Sequence, residues 1–137
     1  MERKRLALLI EDGVVRTGVE TIIKQSNFAS LGLCTFANIS EFLKSRSNVE
    51  ILLFDISPLT LIEMERALQQ LQVCCKHTKV IVISPRLTMA HIAQVMEFGV
   101  NGFIYRDDLA DSLLYSLDLV SGRCHHVNTC HGIACNQ

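Results

Sequence analysis

What this sequence of 137 residues lacks first is an imbalance of charge. Thirteen Lys and Arg against fourteen Asp and Glu leave a net charge of −1. Such a balance builds no strong field for nucleic acid or an anionic membrane surface. The basic opening, Arg3-Lys4-Arg5, is read as a solvated lead into the first strand rather than a DNA-binding arm. No apolar run approaches the roughly 20 residues that span a bilayer. No signal peptide is visible, so the expected location is the cytoplasm, with no membrane partner. Internal repeats, low-complexity tracts and a second domain are also missing. The length suits one domain with a full core. Hydrophobic residues at 49% and charged ones at 20% exclude a disordered chain.

The six cysteines do not form the close-paired spacing of a common zinc motif. Cys34, Cys74 and Cys75 are expected to be reduced thiols of a cytosolic protein. The adjacent pair points apart, and Cys34 faces the core or a neighbouring strand. Cys124, His125, His126, Cys130, His131 and Cys135 crowd the tail. Zinc takes thiolate and imidazole ligands in tetrahedral sets. An exposed thiol with a depressed pKa supports redox sensing. The favoured expectation is plainer. Residues 1–123 form the folded domain, and 124–137 are an unstructured end or the start of a linker rather than a Zn²⁺ site.

Strand and helix patterns alternate about five times. Leu6 to Ile10 is a buried strand, followed by a turn at Glu11-Asp12-Gly13 and a helix over Val14 to Gln25 carrying Val15, Val19, Ile22 and Ile23 inward. Ala29 to Phe36 is the second strand. Asn38 or Ser40 caps a short helix bearing Ile39, Phe42 and Leu43. Ile51 to Asp55 is the third strand, and Leu61, Met64, Leu68 and Leu71 form the stripe of the next helix. Lys79 to Ser84 is the fourth strand, rich in β-branched residues. Met89, Ile92, Ala93 and Met96 line a helix closed by Gly99. Gly102 to Tyr105 is the fifth strand. Leu109 to Val120 is the last helix, with Leu113, Leu114 and Leu117 inward and Gly122 at its end. This alternation is the signature of an α/β, doubly wound parallel sheet.

Ile51-Leu52-Leu53-Phe54 is apolar without interruption and stops at Asp55. Such a run suits a strand buried on both faces. Its carboxyl end then lies where ligands gather in open α/β sheets. Glu11 and Asp12 follow the first strand in the same way, Ser84 closes the fourth and Arg106 the fifth. Three carboxylates at one rim repel one another unless a cation lies between them. Mg²⁺, a hard ion that takes oxygen ligands, suits them. A cation there can also neutralise an incoming phosphoryl group while one carboxylate attacks it. The Ser84 hydroxyl and the Arg106 guanidinium are further contacts for that group.

These segments, with Arg16-Thr17-Gly18-Val19 and Gly99-Val100-Asn101-Gly102-Phe103-Ile104-Tyr105-Arg106-Asp107, resemble the response-regulator receiver domain of two-component signalling. The flavour is that of NarL/LuxR-type transcription factors, and the resemblance covers residues 4 to about 123. It implies a five-stranded sheet in the order 2-1-3-4-5. By the same resemblance Glu11 and Asp12 bind Mg²⁺, and Ser57 lends the metal its backbone carbonyl. Asp55 accepts phosphate from a partner histidine kinase, Ser84 moves onto that phosphate, and Phe103 swings inward with it. A receiver is a two-state switch biased by local charge rather than an enzyme. The implied listener is an output domain lying outside this chain, or a partner protein. The output domain implies transcription control, yet this chain carries no DNA-reading element. The last helix offers a face for a homodimer.

Two departures weaken the match. Arg106 stands where the family has a near-invariant lysine, a broad fork in place of a point charge. It can meet a phosphoryl group or turn outward to Asp107 or Asp108. Pro58 lies three residues after Asp55, one earlier than is usual, and Leu59-Thr60-Leu61-Ile62 replaces a glycine turn. Leu59 and Leu61 are expected to pack as the start of the next helix. A degenerate receiver, acting as a phosphorylation-independent interaction module and linked to redox or metal, is therefore the alternative. A flavodoxin-like electron carrier shares the sheet order but needs a phosphate-cradling loop after the first strand. Glu11-Asp12 puts two negative charges there.

Overall fold

The computed structural model describes residues 5–45 and 48–122. The Cys/His tail and the expected domain boundary at residue 123 lie outside them, as do Arg3 and Lys4. Five strands and five helices alternate: β1 (Arg5–Leu9), α1 (Gly13–Lys24), β2 (Gly32–Thr35), α2 (Ile39–Ser45), β3 (Val49–Asp55), α3 (Leu61–Cys74), β4 (Lys79–Ser84), α4 (Met89–Met96), β5 (Gly102–Tyr105) and α5 (Leu109–Ser121). The strands are all parallel and stand in the order β2-β1-β3-β4-β5.

The two faces of the sheet divide the core. Leu6, Leu8, Ile51, Leu53, Ile81 and Ile83 point to one side, where α1 and α5 bring Val19, Ile23, Leu113 and Leu117. Ala7, Leu9, Leu52, Phe54, Val80 and Val82 point to the other, against Phe42 of α2, four residues of α3 and Val95 of α4. Because both faces are covered, the central strands need apolar residues at every position. Their sequences therefore run unbroken instead of alternating.

Several expectations are corrected. Ala29 and Ser30 do not extend β2: they belong to a 3-10 turn, Asn27–Ser30, whose start is capped by the Ser26 hydroxyl accepting from the Phe28 N–H. Burying Phe28 fixes that turn, so the strand begins only at Gly32. In α4, Met89 and Met96 are exposed at 80% and 46%, and Ala93 is exposed too. The sheet takes Val95 instead, with Ile92 half-buried. The helix carries two apolar stripes, and its periodicity alone does not choose between them. Leu114 of α5 likewise faces out, at 39% exposed. Leu59 packs against the second core layer as expected, but Leu61 is exposed.

The start of α3 is fixed by a reciprocal cap. The Thr60 hydroxyl accepts from the Glu63 N–H at 3.2 Å, and the Thr60 N–H donates to Glu63 Oε1 at 2.9 Å. Removing such a cap costs about 1 kcal/mol. Thr60→Ala is therefore expected to lower the unfolding free energy by that amount, read as a lower urea midpoint with an unchanged slope. A loss below a few tenths would mean that helix packing alone sets this end.

Candidate phosphoacceptor pocket

β1 and β3 are neighbours in register, with Leu9 opposite Phe54, so the residues that follow them emerge at one rim. Asp12 is the N-cap of α1: its Oδ1 accepts from the Val14 and Val15 N–H groups at 2.9 and 3.2 Å. That leaves Oδ2 turned toward the rim. Asp55 ends β3 and is 2% exposed. Its Oδ1 accepts from both the backbone N–H (2.9 Å) and the hydroxyl of Ser57. Its Oδ2 lies 3.7 Å from Arg106 Nε, while Arg106 Nη2 donates to Asp12 Oδ2 at 3.0 Å. One guanidinium thus spans two carboxylates that belong to different strand ends.

Glu11, Asp12, Asp55, Ser57, Pro58 and Arg106 line an open cavity of about 290 Å³. Arg106 does not pair with Asp107 or Asp108; Asp108 lies 3.8 Å from Arg86 instead. Ser84 is fully buried at the end of β4, beside the Asp55–Ile83 pair. Its hydroxyl donates to the Pro85 carbonyl and does not line the cavity. Phe103 is half-buried against the second core layer and meets Tyr105 edge to face at 5.4 Å. The Arg86 guanidinium sits 4.5 Å over the Tyr105 ring. Sequence reasoning misses this Arg86–Tyr105 contact, because no periodicity or motif links the loop after β4 to the end of β5.

The N–H of Val15, then the Arg106 guanidinium, hold the Asp12 carboxyl below its ordinary value. The folded pKa is depressed, so this contribution is present above the unfolded value of 3.8 and is lost as pH falls through the folded one. Arg106→Met is expected to move the Asp12 titration upward but not fully to the unfolded value, since the cap bonds remain. Carboxyl-detected NMR titration checks this; an unmoved Asp12 would mean that the guanidinium exerts no hold on it.

The rim carries the carboxylates of Glu11, Asp12 and Asp55, oxygen donors of the type that suits Mg²⁺. Among the described residues, however, no three carboxylate, imidazole or thiolate side chains are grouped closely enough to hold a metal together. A two-carboxylate, water-rich site remains compatible with that ion, which often keeps several waters. Burial raises the pKa of the Cys34 and Cys75 thiols, with Cys74 adding to the rise at Cys75. Neither has the depressed pKa of a redox-sensing thiol.

The five parallel strands in the order β2-β1-β3-β4-β5 have the flavodoxin-like response-regulator receiver fold. The isolated receiver domain of RcsB from Salmonella enterica serovar Typhimurium superimposes with a TM-score of 0.77 at 10% identity, over 89% of this chain and 90% of that one. A Salmonella typhimurium RcsB response regulator matches at 0.76 and 12% identity over 90% of this chain, which spans 62% of that regulator's length. A LuxR family DNA-binding response regulator from Silicibacter pomeroyi matches at 0.72 and 19% identity, over 88% and 93% of the two chains. No family model and no curated protein sequence matches. No helix among the described residues is long and apolar enough to cross a membrane.

Proposed function

We propose that this chain is a two-component receiver in which Asp55 accepts a phosphoryl group from a histidine kinase, and that an output domain or partner controlling transcription reads the change. One observation carries this reading: a buried aspartate, oriented through Oδ1 by Ser57, keeps Oδ2 toward a cavity lined by two further carboxylates and a cation. Asp55 Oδ2 attacks phosphorus. The new O–P bond forms as the bond to the donor nitrogen breaks, and that electron pair leaves with the imidazole. Asp12, Asp55 and the Ser57 carbonyl, with Glu11 at the rim, would hold Mg²⁺, which would supply charge neutralisation for the transferred group. Arg106 offers the same group a charge-assisted contact. Rotation of the Ser84 hydroxyl from the Pro85 carbonyl toward the new oxygens draws the β4 end inward and gives Phe103 room to follow.

Incubation with acetyl phosphate and Mg²⁺ tests this by intact mass and peptide mapping. The expected product is a single acid-stable, base-labile adduct on Asp55. Lack of an adduct under saturating donor sinks the phosphoacceptor reading. A phosphorylation-independent interaction module is then the better description. The Ser84 hydroxyl, already bonded to the Pro85 carbonyl, and the guanidinium already in place on two carboxylates favour that second reading.

A further inference from the structure

We infer that Arg106 acts as a built-in counter-ion that competes with a divalent cation for Asp12 and Asp55, so that the resting pocket answers to Mg²⁺ only weakly. This rests on the receiver reading of the same pocket and concerns its regulation. Two different nitrogens of one planar group serve the two carboxylates, Nη2 on Asp12 at 3.0 Å and Nε near Asp55 at 3.7 Å. A lysine ammonium is a single compact charge and does not present two fixed donors in this way. Both Asp12 oxygens are already engaged, since Oδ1 caps α1 and Oδ2 holds Arg106. Asp55 has one oxygen occupied by Ser57 and the other facing the guanidinium. Any cation reaching both must first displace Arg106, and it must then share the rim with the positive charge that it has displaced. The Arg106 side chain is 29% exposed, so solvent screens part of this competition without removing it. An incoming phosphoryl group reverses the balance, because it offers the guanidinium a new anion and frees the carboxylates.

The test compares Mg²⁺ affinity in the wild type, Arg106→Lys and Arg106→Met, with Mn²⁺ water-proton relaxation as a second readout and circular dichroism to confirm folding. Charge-assisted hydrogen bonds are strong enough that their loss is expected to tighten binding about tenfold or more in Arg106→Met. Arg106→Lys should fall between the other two. Equal affinities in all three proteins overturn the inference, as does lack of binding in all three. If affinities are equal while acetyl phosphate still labels Asp55, the inference fails and the receiver reading stands. If affinities differ as expected and no adduct forms, competition stands and the phosphoacceptor reading fails.

Discussion

Asp55→Asn is expected to abolish the phosphoryl adduct, while Asp12→Asn only slows its formation. The amide introduced by Asp55→Asn keeps an oxygen for the Ser57 N–H and hydroxyl, which in the wild type hold Asp55 Oδ1, so the loop after β3 keeps its shape. The amide nitrogen that replaces Oδ2 is not a nucleophile, and it no longer attracts Arg106, whose Nε lies 3.7 Å from the wild-type oxygen. Attack on phosphorus then has no acceptor atom. Asp12 lies at the rim and touches the reaction only through charge, so its loss weakens cation binding and frees Arg106 without removing the acceptor. Intact mass after acetyl phosphate treatment separates the two variants. Equal labelling of Asp55→Asn and wild type would place the acceptor elsewhere.

Phe54→Ala is expected to destabilise the domain by about 3–5 kcal/mol. Phe54 is 1% exposed and packs in the layer formed with α2, α3 and α4. It lies on β3, the central strand, paired with Leu9 on one side and Val82 on the other. Alanine leaves a cavity that neither neighbouring strand can close without breaking its ladder. Domains of this size hold together by roughly 5–15 kcal/mol in total, so the loss is a large share. Urea denaturation reads it as a lower midpoint with the slope unchanged. A loss below about 1.5 kcal/mol would mean that the α2–α3 layer collapses onto the gap and is less rigidly packed than its burial implies.

Much of the fold is legible in the sequence because buried parallel strands leave a coarse signal. Ile51–Asp55, Lys79–Ser84 and Gly102–Tyr105 are apolar runs ended by polar residues, and all three are strands in the structure. Gly99 and Gly122 stand just beyond α4 and α5, each with a positive φ, 75° and 77°. Helix phase is harder to read. In α4 and α5 the apolar residues exceed what one buried stripe holds, so Met89, Met96 and Leu114 look like core and are not. Residue types and strand order point to Glu11, Asp12, Asp55 and Arg106, and the receiver resemblance adds Ser57; in the structure these five residues line one cavity. What charge patterning leaves open is the direction of Arg106. Two acidic neighbours in sequence compete with two acidic partners across the sheet, and only the packing of β1, β3 and β5 decides which lies within reach. The hydroxyl orientation of Ser84 is equally invisible in sequence, since the Pro85 carbonyl is a local acceptor always available to it.

The proposed role of this pocket as a charge-operated switch is tested most directly by backbone NMR of the protein with Mg²⁺, before and after adding beryllofluoride, which mimics the acyl phosphate. A switch built on Asp55 predicts saturable shifts at Ser57, Ser84 and Phe103 together, absent in Asp55→Asn. Spectra that stay unchanged, or that change equally in Asp55→Asn, would contradict it.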